Sequence, residues 1–416
     1  MRKERGTSSR QDDQPESSRA PRSESETPAS VDGVTRYKID LDDGRIDSDA
    51  AKVVRRLTRH GYEAYLVGGC VRDLLLDHEP KDFDVCTDAR PEDVRALFRN
   101  SRIIGRRFRL AHVLFGGGKV IETATFRRNP DENRDGDDMP IRSDNVFGDA
   151  DEDALRRDFT INALFYDLET NEVLDWVGGM PDLKARRMHT IGIPQVRFHE
   201  DPVRMLRAIK FCARLDVGMS PEVYNAIVQC RDTLEMAAKP RLFEELLRFL
   251  RGGAAARSFY LAWELGILDV LLPELAMYLS DTEDDAVWRL LDEVDQLTYE
   301  RGQALSDITL WTVLLLAPTL EACDGCRDRV SAGYEFMEPI AARLRVPRRI
   351  SDGVRRIVAV LPRLNSGRPG RVAKTPIYEC ANEVLEITRA AKVSLGEHRP
   401  PPSRRRRRKP SDGTES

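Results

Sequence analysis

The sequence predicts an α+β protein, with a mixed α/β head on the N-terminal side and an all-helical region of neck, body and tail behind it. Three observations predict this. Short apolar runs alternate with polar residues between Tyr37 and about Asp175. Apolar residues recur at helical spacing from about Asp201 onward. Both ends of the chain are nearly free of apolar residues. The 416 residues leave room for two or three domains, and 41% hydrophobic with 33% charged residues allows a packed core under a strongly charged surface.

Residues 1–35 are rich in Ser, Arg, Glu and Pro and are expected to form a disordered extension. The head is expected over 36–190. Tyr65–Leu66–Val67 reads as a strand and Val71 to Leu76 as the start of a helix. Phe83 and Val85 alternate with Asp82 and Asp84, as in a half-buried strand. Pro91 opens a helix to Phe98 at a position that suits proline. Arg109–Phe115 and Val120–Phe126 read as strands joined by Gly116–Gly117–Gly118. The polar segment 127–148 has the length of a functional or mobile loop. A helical neck is expected over 191–255, with Val203, Leu206, Ala208, Ile209 and Phe211 on one stripe and Leu242, Leu246, Phe249 and Leu250 on another. A helical body follows over 256–395, then a disordered basic tail over 396–416.

Composition also excludes classes. No run of 18 apolar residues suggests a membrane span, and the N-terminus has no apolar core of a secretory signal. Seven scattered cysteines, an odd number, argue for a reducing, cytoplasmic setting rather than a disulfide framework. Cys323–Asp324–Gly325–Cys326 lacks a second ligand pair nearby and reads as two thiols in a loop, not zinc ligands. The net charge of −4 hides a run of six cations, Arg404, Arg405, Arg406, Arg407, Arg408 and Lys409, so a polyanionic partner fits.

The stretch with most chemistry is Leu66–Val67–Gly68–Gly69–Cys70–Val71–Arg72–Asp73, followed by Lys81–Asp82–Phe83–Asp84. Paired glycines between a strand and a helix let backbone N–H groups approach phosphates. Arg72 can add a charge-assisted contact. Residues two apart on a strand point the same way, so Asp82 and Asp84 present two carboxylates to one side. Such a pair suits Mg²⁺, which takes oxygen ligands and bridges substrate phosphates. Each half alone fits a plain turn or an acidic strand equally well; together they point to a nucleotide site.

This combination resembles the class II nucleotidyltransferases of the DNA polymerase β-like superfamily, which include bacterial poly(A) polymerases and CCA-adding enzymes. Four later blocks extend the resemblance in order: Arg156 to Leu164, Asp175 to Leu183, Glu200 to Ala208, and Arg241 to Leu246. The resemblance implies two Mg²⁺ ions on Asp82 and Asp84, with Asp158 a third acidic residue of the active site. Glu122 is a further candidate metal carboxylate or, equally, an edge-strand charge. Gly68, Gly69, Arg72, Asp73, Arg157, Asn162 and Arg207 are implied in nucleotide binding. Asp201 and Arg204, three apart and so on one helical face, offer an acceptor and a donor to a base edge. That pattern complements adenine and cytosine and rejects guanine and uracil; it does not separate ATP from CTP. Taken alone it would be an ordinary surface ion pair.

Ile103 to Val113 resembles a pattern of the RNA-adenylating members, and the Arg404–Lys409 run resembles their basic tail. The expectation is therefore template-independent addition of AMP from ATP to RNA 3′ ends in RNA processing and decay, with the basic run holding RNA phosphates. CCA addition to tRNA is the alternative within the family, and a non-catalytic RNA-binding protein on the same fold is the alternative outside it.

Overall fold

The computed structural model describes residues 29–31, 33–42, 44–105, 109–128, 146–326, 328–367 and 370–395. The head is built on a nine-stranded sheet. Its strands are β1 (Ala29–Val31), β2 (Val34–Lys38), β3 (Ala64–Val67), β4 (Asp84–Thr87), β5 (Ser101–Ile104), β6 (Leu110–Leu114), β7 (Val120–Thr125), β8 (Leu164–Asp167) and β9 (Glu172–Asp175). They lie in the order β1-β2-β9-β8-β3-β4-β7-β6-β5. Only the β4–β7 pair is parallel.

The period of two in the strands explains the layers. Leu66, Val85, Tyr166 and Val173 point to one side, into the main core. Val67, Cys86, Phe165 and Leu174 point to the other, into a smaller cluster around Phe126. Helix α1 (Ser48–Arg59) covers the main face with Ala50, Val53, Val54 and Leu57, all buried. The remaining head helices are α2 (Gly69–Leu75), α3 (Pro91–Leu97), α4 (Ala150–Leu155) and α5 (Gly179–Lys184).

Three head expectations need correction. The extension does not reach residue 35, because β2 begins at Val34 and pairs with β9, Thr35 opposite Asp175. That pairing spans 140 residues, so local composition gives no sign of it. Asp82 lies ahead of its strand, which begins at Asp84. Glu122 is not on an edge, since β7 lies between β4 and β6. The polar 127–148 segment is pinned where it leaves the sheet, by an Arg127–Phe147 bridge and a Gly148 N–H donated to the Phe126 carbonyl. Residues 129–145 lie outside the described residues, as do Arg106–Phe108 and the Arg404–Lys409 run.

From Pro194 the described chain is almost wholly helical. The neck holds α6 (Pro194–Glu200), α7 (Val203–Leu215), α8 (Pro221–Cys230) and α9 (Lys239–Arg251). The predicted stripes are its buried faces: Val203, Leu206, Ala208 and Ile209 on α7, and Leu242, Leu246, Phe249 and Leu250 on α9. The body follows with α10 (Ala255–Glu264), α11 (Ile267–Leu271), α12 (Pro273–Asp281), α13 (Ala286–Arg301), α14 (Asp307–Ala322), α15 (Arg329–Leu344), α16 (Arg348–Asn365) and α17 (Ile377–Ala390). Helix α14 is apolar on all sides and buried from Thr309 to Thr319, the centre of the body. No described helix is long and apolar enough to cross a membrane. One continuous core runs from Leu41 to Leu395, so head, neck and body pack as neighbours.

Candidate active site

The site begins where β3 ends. Gly68 turns the chain at φ 72° and donates its N–H to the Leu164 carbonyl at 3.0 Å. A Cβ here would sit 3.0 Å from Arg157 Nη1, so space and backbone both require glycine. Antiparallel pairing sets Asp84 opposite Val67 at the same end of the sheet. Parallel pairing sets Glu122 of β7 beside Asp84. Burial pushes the Asp84 carboxyl up to about 6; the Glu122 and Asp82 carboxylates push the same way and Arg157 opposes them. Glu122 also lies 3.6 Å from His112 Nε2 on β6.

Opposite these carboxylates stand arginines, and each is tied down. Arg72 is only 2% exposed. Its Nε and Nη2 donate to Asp73 Oδ1 at 2.8 and 2.5 Å, and its Nη1 donates to Asn162 Oδ1. Asp73 was expected at the nucleotide; its other oxygen instead accepts from Arg214 of α7 at 3.0 Å. Adjacent residues of α2 point outward in different directions, and the sequence does not show that α7 supplies a cation there. Asp73 thus joins head to neck and holds Arg72 at the cleft wall.

Asp158 and Arg207 form a second tie. Arg207 Nε and Nη2 reach Asp158 Oδ2 at 2.7 and 2.6 Å. Asp158 Oδ1 accepts from the Phe159 N–H at 2.9 Å and from Asn162 Nδ2 at 3.2 Å. Burial alone would raise this carboxyl, but Arg207 and the two other donors hold it below the usual carboxylate range. Arg157 is fixed by a residue that the sequence reading missed. Its Nε and Nη2 donate to Asp153 Oδ2 at 3.1 and 2.9 Å, and its Nη1 donates to the Asn162 carbonyl at 3.2 Å. Asp153 also accepts from Arg156 Nε at 3.0 Å and from the Arg127 N–H at 3.2 Å.

The proposed base-reading pair has a different geometry from that expected. Asp201 is not on the α7 helix but just ahead of it, with extended backbone at φ −146°. Its Oδ1 accepts from the Val203 N–H at 3.3 Å, and its Oδ2 accepts from Arg241 Nη2 at 2.8 Å. Arg204 donates to Glu200 Oε2 at 2.8 Å and to the Arg197 carbonyl at 3.0 Å. The two do not pair with each other: Pro202 breaks the helix between α6 and α7, and each side chain has a nearer partner. Both still line the cleft.

Most of the expected groups converge on one cleft of about 500 Å³. Of the residues expected at the nucleotide or metal, Gly68, Gly69, Arg72, Asp73, Asp82, Asp84, Arg157, Asp158, Asn162, Asp201, Arg204 and Arg207 line it, while Glu122 does not. Lys81, Phe211, Arg214 and Arg241 line it too and were not singled out as site residues beforehand. For Phe211 the only signal was its place on the apolar stripe of α7. Its ring faces three cations, with Arg72, Arg207 and Lys210 at 5.1, 5.5 and 5.0 Å from the centroid. The block from Asp175 to Leu183 proves to be a brace. Asp175 accepts backbone N–H groups from Val177, Gly178, Gly179 and Met180 within 3.1 Å, which fixes the start of α5.

Among the described residues no group of three His, Cys, Asp or Glu side chains stands ready to hold a metal ion. Mg²⁺ does not require one, because it takes one or two carboxylates and fills its shell with water and substrate phosphate. Asp82 and Asp84 offer carboxylate oxygens at this end of the cleft, and burial together with the neighbouring Glu122 and Asp82 carboxylates raises the Asp84 carboxyl. Asp82 and Asp84 therefore fit Mg²⁺.

Residues 64–189 match a family model described as "Poly A polymerase head domain". Residues 216–279 match one described as "Probable RNA and SrmB- binding site of polymerase A". Poly(A) polymerase I of Escherichia coli is 37% identical over 364 residues, covering 82% of this chain and 78% of the relative. That of Haemophilus influenzae is 35% identical over 383 residues, covering 86% and 84%. The CCA-adding enzyme of Levilactobacillus brevis is 31% identical over 351 residues, covering 83% and 79%. Among solved structures, the Bacillus stearothermophilus CCA-adding enzyme in complex with CTP superposes with a TM-score of 0.61 at 26% identity, over 82% of this chain and 77% of that one. Likeness of this extent to both kinds of enzyme places the chain in the nucleotidyltransferase family that contains the poly(A) polymerases and the CCA-adding enzymes.

Proposed function

We propose that this nucleotidyltransferase adds AMP from ATP to RNA 3′ ends without a nucleic-acid template and releases pyrophosphate. One observation carries the reading: a single cleft places the Asp82–Asp84 carboxylates against a wall of braced guanidiniums. The head over 36–190 would carry the chemistry, the neck over 191–255 base recognition, and the body over 256–395 RNA. The setting would be the cytoplasm, in RNA processing and decay.

In the reaction the RNA 3′-hydroxyl attacks the α-phosphorus of ATP, the bond to the β-phosphate oxygen breaks, and pyrophosphate leaves. Two Mg²⁺ ions held by Asp82 and Asp84 would acidify the hydroxyl and neutralise charge on the triphosphate. The chain's own groups position the reactants, which supplies most of the acceleration in phosphoryl-type transfer. The Gly68–Gly69 backbone leaves room for the phosphates. Arg72 and Arg157, held by Asp73 and Asp153, face them with fixed charge. Asp201 and Arg204 meet the base edge as acceptor and donor, after exchanging Arg241 and Glu200 for the base.

Likeness to the poly(A) polymerases, at 37% over 82% of the chain, supports adenylation. CCA addition is the second reading, favoured by the 31% likeness to a CCA-adding enzyme over 83% of the chain. The Asp201–Arg204 pair suits both bases. The test offers ATP alone and CTP alone to an unstructured RNA and to a tRNA lacking its 3′ end. Long tails from ATP on the unstructured RNA support polyadenylation; addition restricted to tRNA and using CTP supports the second reading; no addition supports a non-catalytic RNA-binding protein. The Arg404–Lys409 run is proposed to grip RNA phosphates. Truncation after Glu397 should then leave the melting temperature unchanged and flatten the salt dependence of binding to long RNA.

A further inference from the structure

The exposed face of α1 carries Lys52, Arg55, Arg56 and Arg59, at spacings of three, four and seven residues. Those spacings place all four side chains on one stripe, roughly 10 Å long at 1.5 Å per residue. The opposite face is the apolar one that covers the sheet. Like charges at these spacings repel each other along a helix. Elsewhere in the structure arginines sit mostly in ion pairs, including those of the cleft. On this stripe Arg55, Arg56 and Arg59 have no carboxylate partner among the described residues. The one acid of α1 lies at its start, where Asp49 takes both Lys52 and Lys119.

The stripe forms one wall of a groove of about 640 Å³, and no carboxylate lines that groove. Phe98 and Phe115 lie on the other side. The Arg56 guanidinium rests over the Phe98 ring, 5.2 Å from its centroid, which fixes its position. Phe115 is half-buried and lines the groove. None of these residues lines the nucleotide cleft.

We propose that this groove is a second RNA-binding surface, which holds the phosphate backbone of single-stranded RNA away from the reacting 3′ end. A row of four cations, three of them without a carboxylate partner among the described residues, beside a half-buried aromatic residue suits a flexible polyanion that carries bases. A membrane surface fits poorly, because every apolar residue of α1 faces the sheet and none is left to insert. The inference rests on the reading of RNA as substrate, but binding can be measured without the reaction.

The test compares the wild-type protein with the double variant Arg55→Gln/Arg59→Gln. Arg56 stays, since it packs on Phe98. Affinity for an unstructured RNA of several tens of nucleotides is measured at a series of salt concentrations, with no nucleotide present. Two lost phosphate contacts should weaken binding on the order of tenfold and flatten the log–log salt slope by about 1.4. The KM for ATP and the melting temperature should not change. Equal slopes and affinities overturn the proposal. So does equal displacement of RNA by polyglutamate at matched charge, which would assign the surface to an acidic protein. The substrate reading stands or falls separately, on whether wild-type protein extends RNA with ATP.

Discussion

Asp84 and Asp158 face the same cleft, and burial pushes both carboxyls upward, yet they end shifted in opposite directions. Asp158 has Arg207 within 2.7 Å and two further donors, so it is held ionised. Asp84 has Glu122 in register beside it and Asp82 in front, so its charge is opposed. Desolvation is common to both; it sets the direction at Asp84, where Arg157 only partly opposes it, and the donors reverse it at Asp158. A carboxylate that already owns a cation is part of the framework. One that is buried beside other carboxylates would gain most from a cation supplied from outside, as the proposed function requires.

The sharpest way to break this comparison is to neutralise each carboxylate at constant size. Asp84→Asn, like Asp82→Asn, should cut nucleotide addition by about a thousandfold or more, the effect of losing several kcal/mol of charge stabilisation. The metal-free fold should survive it. Near-normal turnover at saturating Mg²⁺ would remove Asp84 from the site. Asp158→Asn should behave in the reverse way towards the fold. It strands Arg207 without its partner and should cost about 3 kcal/mol of stability, read as a lowered melting temperature. An unchanged melt would mean that Arg207 finds solvent or another acceptor at no cost.

The acid limb of stability offers a finer separation. An aspartate in an unfolded chain titrates near 3.9. The Asp84 carboxyl, at about 6, lies above that value, so its charge opposes folding of metal-free protein at neutral pH. The opposition is relieved as pH falls from about 6 towards about 4. Asp158 lies below the unfolded value, so it adds stability that is complete above about pH 4 and is lost as pH falls through its own lowered value. Melting temperature against pH should therefore change shape above about pH 4 in Asp84→Asn and below it in Asp158→Asn. Identical curves for the two variants would show that the two sites are not electrostatically distinct.

The smallest expected effect concerns base choice. Arg204→Ala should lower the preference for ATP over GTP and UTP about tenfold, the worth of one charged hydrogen bond. Unchanged selectivity with ordinary turnover would leave Arg204 as a partner of Glu200 and nothing more.

What the sequence disclosed follows the same division. The glycine pair, Asp82 and Asp84 lie within seventeen residues at one end of two adjacent strands, so nearness in sequence is enough to bring them together. The apolar stripes of α7 and α9 were legible for the same reason. The framework was not. Asp153 reaches Arg157, Arg214 reaches Asp73 across 141 residues, and Arg241 reaches Asp201 across 40, and none of these contacts leaves a periodic trace. The edge strand β1 and its neighbour β2 escaped notice because they are short and follow directly on the polar extension. The helix expected under Asp201 failed because Asp201, the residue before Pro202, takes an extended backbone.

The Asp73 carboxylate, which fastens α2 to α7 by gripping Arg72 with one oxygen and Arg214 with the other, also bears on how a growing polymer would be handled. Phosphates would be gripped from α2 and the base read from the start of α7, and that fastening fixes the span between the two. With that fastening kept through the cycle, the protein would act as a gauge of constant span. Under the proposed function each cycle lengthens the RNA by one nucleotide while the gauge keeps its size. The displacement between cycles must fall on the strand, which has to slip back by one unit through a rigid frame before the next ATP can enter.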